Sequence, residues 1–356
     1  MKSVAVHGAL LMAALLTAFV TWTANDRPQP DNTAVVVWEH GANDVAFVAF
    51  QSGPRTVELE RRGTGDQAHI WGKETAPEPV APPPAPPPDT AAGDSAKADT
   101  VVAPPRLQTE EFPAGGRTNE VFEQLATMRA VRDLGDADDD KRKAYGLDKQ
   151  DMKLTVRFRD REERVFVVGN TVVGGTDRYA LDTESDHIYV LGADLLQPLE
   201  SGSSALRLAE YQSFEPGRIA AIAVRAAGVD RRMERRSAGS PPQIVWAEPG
   251  SDQPDQAFSN FMEQLQQLWV SRFAPEVRTD SLDSVLRIEY SDDDGDALGF
   301  LELFRSRGAP ESRKYYMQTP RTMVPGEIYT PLGERIEQDA ATLLRRGGTP
   351  PNRIGP

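Results

Sequence analysis

The tetrapeptide FEQL at Phe122–Leu125 recurs as MEQL at Met262–Leu265, and the segments around these two stretches follow the same order. Each tetrapeptide lies in a segment with apolar residues at helical spacing. Each is preceded by a run of alternating apolar and polar residues and then by a tryptophan, Trp71 in the first case and Trp246 in the second. The pattern indicates one folding unit present twice, and such copied units usually form scaffolds and surfaces rather than a single catalytic centre.

The first copy is longer than the second between its tryptophan and its helix, because it contains a biased segment at residues 75–113. This segment includes the run PPPAPPP at Pro82–Pro88 and a stretch of small and acidic residues from Thr90 to Thr100. Such a composition buries too little apolar surface to offset the entropy of ordering. It therefore predicts a disordered, Pro-rich insert with polyproline II character.

Periodicity places the main helices. Apolar residues at helical spacing predict a first helix over 121–131 and a second over 256–273, and shorter helices at Ala193–Leu199 and Leu332–Leu344 close the two copies. The remaining apolar runs alternate with polar residues and are separated by short turns, which is typical of antiparallel strands.

These elements predict an α+β fold of two tandem copies, each with a β-hairpin and strand, a helix, an antiparallel sheet and a closing helix. The predicted boundaries are a transmembrane helix or signal anchor at 1–24, the first β segment of copy one at 25–74, the insert at 75–113, the helix and sheet of copy one at 114–204, copy two at 205–345, and a disordered tail at 346–356.

The N-terminal segment Val4–Trp22 is apolar enough to enter a bilayer. As a helix it would rise about 28 Å, close to a hydrocarbon core of about 30 Å. Lys2 precedes it and Asp26 follows it, so we expect a single-pass protein of the cytoplasmic (inner) membrane with its body in the periplasm. A cleaved signal peptide is the alternative, although a small-x-small cleavage site is hard to find.

Composition excludes several classes of function. The net charge is −14, with 54 acidic residues, so we expect no nucleic-acid partner. The arginine cluster at 231–236 alternates with acidic residues and is typical of a solvated strand face. The absence of cysteine excludes disulfides, thiolate catalysis and zinc–thiolate sites.

No catalytic or metal-binding constellation is evident, and we predict no cofactor. The acidic run Asp136–Asp140 is followed by Lys141 where a calcium loop needs glycine, and Gly169–Gly175 lacks the lysine of a phosphate loop. The remaining candidates are aromatic residues that either bind a ligand or pack in the core: Trp71, Trp246, Tyr179 and Tyr316.

The motif KAYGLD at Lys143–Asp148 and the alternating strand Leu154–Phe158 that follows it, together with Gly169 and Tyr179, resemble the bacterial family called domain of unknown function 4340 (DUF4340). The residues Lys149–Asp151 stand where that family's pattern has a proline. The resemblance implies a membrane-anchored protein that accompanies ABC-type permeases and gliding-motility-like or efflux auxiliary proteins. It implies no catalytic residues.

Two functions follow as expectations. The first is a non-enzymatic, membrane-anchored envelope scaffold or adaptor. Its partners would be the inner membrane, through the N-terminal helix, and an ABC-type permease, an ATPase or an auxiliary envelope protein. The alternative is a periplasmic module that binds a lipid, glycan or peptide between the two copies. A hydrolase is disfavoured because no base and nucleophile are paired in the sequence.

Overall fold

In the computed structural model of the protein, residues 34–65, 68–78, 106–238 and 243–347 are described. The predicted membrane anchor at 1–24 lies outside these residues, as does the tail beyond residue 347. Within the described ranges, no helix has both the length and the apolar character needed to cross a bilayer.

The described residues form nineteen strands and six α-helices. The strands are β1 Val35–Val36, β2 Val45–Ser52, β3 Arg55–Arg62, β4 His69–Pro77, β5 Leu107–Pro113, β6 Arg129–Ala130, β7 Arg132–Asp136, β8 Met152–Phe158, β9 Glu163–Thr171, β10 Arg178–Asp182, β11 His187–Leu191, β12 Ala221–Ala226, β13 Val229–Ala238, β14 Gln243–Ala247, β15 Val270–Phe273, β16 Leu282–Ser291, β17 Ala297–Ser306, β18 Tyr315–Gln318 and β19 Gly326–Ile328. The helices are α1 Gly116–Ala126, α2 Asp139–Ala144, α3 Ala193–Ser201, α4 Ser203–Leu206, α5 Gln256–Leu265 and α6 Thr330–Gly347.

Most strands belong to two large antiparallel sheets. The first has the order β5-β4-β3-β2-β8-β9-β10-β11-β7, and the second has the order β14-β13-β12-β16-β17-β18-β19-β15. If β4 is matched with β14 and β2 with β12, the two sheets follow the same path, and β5 is the additional strand of the first sheet. A third, two-stranded sheet joins β1 to β6.

The predicted α+β class is wrong. Strands make up 43% and helices 24% of the structure, and all three sheets are antiparallel, so the protein is mainly β. Part of the error lies in the two predicted helices, which extended too far: Arg129–Ala130 and Val270–Phe273 are strands β6 and β15. The spacing of Val270 and Phe273 fits a helix, and both residues are buried in the strand because the pairing register shifts between Val270 and Arg272. Pairing with β19, which comes later in the chain, decides between helix and strand.

The ends of the predicted insert also differ from the prediction. Residues 75–77 belong to β4 and residues 107–113 form β5, and these two strands pair from Trp71↔Pro113 to Pro77↔Leu107. Strand β5 is polar over Gln108–Glu111, so its sequence lacks the apolar alternation that marks the other strands. Residues 79–105, the centre of the insert, lie outside the described residues.

One continuous apolar core serves both large sheets. Helix α1 buries Val121, Phe122 and Leu125, and helix α5 buries Phe261, Met262 and Leu265, each against the inner face of its sheet. Burial of such side chains stabilises the fold by about 1.5–3 kcal/mol each. The sheets meet where edge strand β5 lies beside edge strand β15.

Candidate functional site

The two tryptophans singled out in the sequence are buried in different surroundings. Trp246 belongs to the main apolar core, and its backbone N–H donates to Ser259 Oγ at 3.0 Å. Trp71 lies outside that core, and its indole N–H donates to Glu111 Oε2 at 3.0 Å. The guanidinium of Arg62 lies 5.4 Å from the Trp71 ring centre. The two residues therefore do not form a shared groove.

The two tyrosines lie in small apolar clusters apart from the main core. Tyr179 stacks on Tyr145 with ring centres 4.1 Å apart, beside Leu147, Val167 and Leu181. Tyr316 packs with Ala274, Leu282 and Phe304. The structure therefore brings none of the four predicted aromatic residues into contact with another.

The residues that carry the family resemblance do come together. The Tyr145–Leu147 segment lies over Gly169 of strand β9, where the N–H of Asn170 donates to the Tyr145 carbonyl at 2.8 Å. A side chain at Gly169 would place its Cβ 2.3 Å from that carbonyl oxygen. Tyr179 completes the cluster by stacking on Tyr145. The motif thus holds the Tyr145–Leu147 segment against one face of the first sheet, where the segment covers Gly169. This is a structural role.

A large cavity lies beside the second sheet. We call it the linker cleft: a space of about 670 Å³ between linker residues 210–219, the C-terminal end of α5 and strands β16 to β18. The linker is the segment that joins the two large sheets. The side chains of Met262, Leu265, Leu268, Leu301 and Met317 give the cleft an apolar floor.

Tyr211 anchors the linker to the second sheet. Its hydroxyl accepts a hydrogen bond from the backbone N–H of Val270 at 2.9 Å, and its carbonyl accepts one from Thr319 Oγ1 at 2.5 Å. Farther along, the side-chain amide of Gln212 donates to the Phe300 carbonyl at 3.2 Å. The linker is therefore attached at several points, and the cleft beneath it is a fixed feature of the fold.

Polar residues line the rest of the cleft, among them Glu210, Gln212, Ser213, Glu215, Gln266 and Arg321. Arg321 lies at one side, where its guanidinium donates to the Gln212 carbonyl at 3.2 Å and to Glu210 Oε2 at 3.4 Å. Tyr290 packs against Phe214, with ring centres 5.3 Å apart. Burial raises the pKa of Tyr290 above its usual value, so the hydroxyl stays neutral. Among the described residues no group is hydrogen-bonded to this hydroxyl, which leaves it free for a ligand.

Sequence reasoning missed the residues of the linker cleft. Tyr211 and Phe214 lie in a short irregular segment without helical or alternating periodicity, and Leu265 and Leu301 carry the pattern of ordinary core residues. The one available signal was the position of two aromatic residues, Tyr211 and Phe214, in a polar connection between the two copies. Such connections seldom contain aromatic side chains unless these are packed.

A pair of carboxylates lies where the two sheets meet. Glu74 of β4 and Glu110 of β5 are directly paired across the ladder. Glu74 accepts hydrogen bonds from Arg55 Nε at 2.5 Å and from the backbone N–H of Ser203 at 2.7 Å. One oxygen of Glu110 is buried without a hydrogen-bond partner, because Arg207 Nη1 is 3.8 Å away.

The two carboxylates have opposite pKa shifts. Burial alone would raise the pKa of Glu74, but the hydrogen bonds from Ser203 and Arg55 outweigh burial and hold that pKa below its usual value. Burial raises the pKa of Glu110. The negative charge of Glu74 raises this pKa further, and the positive charge of Arg207 lowers it but does not cancel the effect of burial. The ionised Glu74 therefore stabilises the fold at pH values above its unfolded pKa, and this stabilisation is lost as the pH falls through its folded pKa. The opposite holds for Glu110: its protonated form favours the fold, and that contribution is lost as the pH rises through its folded pKa.

Substitution of these two residues should change stability in opposite directions. At pH 7, Glu110→Gln should raise the free energy of unfolding because it removes a partly desolvated charge, and Glu74→Gln should lower it by about 1.5 kcal/mol because charge-assisted hydrogen bonds are lost. Urea denaturation of both variants at pH 7 and pH 4 measures the effect. The difference between the variants should shrink at pH 4, and changes of the same sign at pH 7 would contradict the assignment.

In the part of the chain that is described, no three His, Asp or Glu side chains form a group able to hold an ion. His187 contacts Asp136 through Nε2 at 2.8 Å, and its Nδ1 lies 3.7 Å from Asp133.

Residues 111–285 match the family model described as "Domain of unknown function (DUF4340)". The matched segment begins in β5 of the first sheet and ends in β16 of the second. It includes the KAYGLD motif, the linker and helix α5. No curated protein and no solved structure matches the chain.

Proposed function

We propose that this chain, which belongs to the DUF4340 family, binds a small and largely apolar ligand in the linker cleft. The family description assigns no function, so support comes from the cleft itself. One observation carries the proposal: a cavity of about 670 Å³ that has an apolar floor and is closed on one side by an anchored linker. Small-molecule sites commonly occupy about 300–1,000 Å³ and combine apolar walls with a few placed polar groups.

The composition of the cleft narrows the class of ligand. Methionine and leucine side chains adapt to irregular apolar shapes, whereas sugars need many hydrogen-bonding side chains around them. The polar residues of the lining include Tyr290 and Arg321 near the floor and Glu210, Gln212, Ser213, Glu215 and Gln266 around it. Among the lipid, glycan and peptide classes expected from the sequence, we favour a lipid or a peptide, because an apolar group of the ligand can pack directly on this floor. A periplasmic location at the inner membrane is part of the same proposal.

A fluorescent apolar probe tests the proposal directly. The anionic naphthalene dye ANS, titrated into the full-length chain, should bind saturably at one site with enhanced emission. The variant Ile219→Trp replaces an aliphatic side chain of the cleft lining with a larger aromatic one. It should weaken ANS binding by about ten-fold, since a filled cavity excludes the dye.

The matched control is Ile244→Trp. Ile244 lies on β14, away from the cleft lining, and is 58% exposed. This control should bind ANS within about two-fold of the unchanged chain because surface substitutions rarely alter the fold. Equal weakening by the two substitutions, or no saturable binding at all, would rule out the linker cleft as the site.

An adaptor role in an ABC-type transport complex is the second candidate function. It is favoured by two exposed aromatic residues, Trp269 at 51% and Tyr329 at 60% exposure. They adjoin the paired residues Val270 and Ile328, so they lie close together at the edge of the second sheet. Exposed aromatic residues are enriched in protein interfaces. Purification of the full-length chain from solubilised membranes should recover a permease or ATPase, and Trp269→Ala should reduce that recovery. No recovery of either would contradict this role.

A further inference from the structure

The first sheet fills, with its own tryptophan, the place that the linker cleft occupies in the second sheet. Trp38 precedes β2, is 8% exposed, and packs on Phe158 and Phe166 with ring centres 5.8 and 5.5 Å away. Its indole N–H donates to the Leu125 carbonyl at the end of α1, at 2.7 Å. The guanidinium of Arg164 lies 5.2 Å from the ring centre.

The strands beneath the two places pair in equivalent register. In the first sheet Val156 pairs with Val48, and Phe158 follows on the same face; in the second, Ile288 pairs with Val224, and Tyr290 follows. The helices agree as well, since Leu125 and Met128 have the same spacing from the tetrapeptide as Leu265 and Leu268. Tyr290, Leu265 and Leu268 all line the linker cleft.

The segments above the two floors also correspond, but they are attached differently. In the first sheet the backbone of Val35 pairs with Ala130, which brings Trp38 down onto the floor. In the second, Val270 takes the place of Ala130 and donates to the hydroxyl of Tyr211. The linker is thus joined to Val270 through a tyrosine side chain, whereas Val35 is joined to Ala130 through its backbone.

Phe214 follows Tyr211 by the same number of positions as Trp38 follows Val35, and it packs against Tyr290 as Trp38 packs against Phe158. Phe214 is only partly buried, and its ring carries no N–H donor. The side-chain attachment and the smaller ring accompany the space that is the linker cleft.

The helix ends differ in hydrogen bonding. Beyond the bond from Trp38, the carbonyls of Ala126 and Met128 accept from the N–H groups of His40 and Val37 at 2.8 and 2.9 Å. At the end of α5 the corresponding carbonyls are those of Gln266 and Leu268, and no donor from the described residues reaches them. The carbonyl of Leu265 accepts only from Leu268, at 3.2 Å. The last carbonyls of a helix need external donors.

We propose that the linker cleft binds an indole-type ring, a flat aromatic group with one N–H donor, in the space beside Phe214, the residue that corresponds to Trp38 of the first sheet. This inference rests on the proposed function and adds the chemistry of the ligand. The ring stacks between Phe214 and the apolar floor, and its N–H donates to a carbonyl at the end of α5. The ring can belong to a small molecule or to a tryptophan side chain of a peptide.

Calorimetric titration of the full-length chain with four probes tests the proposal. Indole should bind, and 1-methylindole, which has no N–H, should bind about five-fold or more weakly because one hydrogen bond is lost. N-acetyltryptophanamide represents a tryptophan side chain within a peptide. If it binds more tightly than indole, the natural ligand is a peptide. ANS serves as the general probe of the cleft. ANS binding without indole binding, or equal affinity for indole and 1-methylindole, would overturn the indole assignment and leave the proposed function standing.

A substitution locates the bound ring. Phe214→Trp should supply the missing indole from the chain itself and lower indole affinity by about ten-fold or more, since the cleft is then occupied from within. The matched control is Phe47→Trp on β2 of the first sheet, where Phe47 contacts Arg157 and lies outside the cleft. Binding unchanged in Phe214→Trp would overturn the proposal, and equal loss in both variants would place the indole site elsewhere.

Discussion

Replacement of Trp38 with alanine is expected to lower the free energy of unfolding by about 3–5 kcal/mol, the usual range for truncation of a large buried aromatic residue. The indole fills the space between Phe158 and Phe166 and donates to the Leu125 carbonyl, so the substitution leaves both a cavity and an unpaired helix end. Urea denaturation followed by circular dichroism measures the loss.

Trp269→Ala is the matched control, because Trp269 is 51% exposed and its loss should change stability by no more than about 0.5 kcal/mol. Indole added to Trp38→Ala should restore part of the lost stability, since a ligand that binds the folded state stabilises it by mass action. A loss below about 1 kcal/mol would show that Trp38 does not hold the first sheet and its preceding segment together.

Gly169→Ala is expected to lower the free energy of unfolding by about 2–3 kcal/mol, the upper part of the range for overpacking. The new Cβ would meet the Tyr145 carbonyl oxygen at 2.3 Å and Leu147 Cδ2 at 2.9 Å. A backbone oxygen cannot rotate away as a flexible side chain can. The cover formed by the KAYGLD segment must therefore shift, and the stack of Tyr145 on Tyr179 should be disturbed with it.

The control for this prediction is Gly175→Ala in the turn after β9, where the nearest atom to a new Cβ is the Asp177 nitrogen at 4.0 Å. Its stability should stay within about 0.5 kcal/mol of the unchanged chain. Hydrogen exchange at the Asn170 amide, which donates to Tyr145, gives a local readout. A Gly169→Ala variant with unchanged exchange and stability would show that the cover tolerates displacement.

Local sequence patterns predicted much of the secondary structure and failed where pairing is distant. The alternation at Leu154–Phe158 coincides with β8, and the predicted helix at Leu332–Leu344 lies within α6. Strand β1 and strand β5 were missed, since one is two residues long and the other is polar. Their formation depends on partners far along the chain, which a short window of sequence does not contain.

The candidate site was harder to predict than the fold because it depends on a difference between two similar places. Leu265 and Leu125 follow the same pattern, yet one lines a cleft and the other lies beneath Trp38. What differs is how the segment above each of them is attached to its sheet. In the first sheet the backbone of Val35 pairs with a strand, and in the second the hydroxyl of Tyr211 accepts a hydrogen bond from a strand. No spacing or periodicity in the sequence distinguishes these two attachments.

The ladder of β4 and β5 ends with a hydrogen bond from the N–H of Glu78 to the carbonyl of Arg106, at 2.7 Å. Glu78 and Arg106 therefore lie side by side at the end of a strand pair that is not part of the lining of the linker cleft. Because the entropy of closing a loop grows only slowly with its length, this point can tolerate sequences of very different size. It is therefore a suitable insertion site for a genetically encoded label, such as a fluorescent domain or an affinity tag, that reports on the protein in cells.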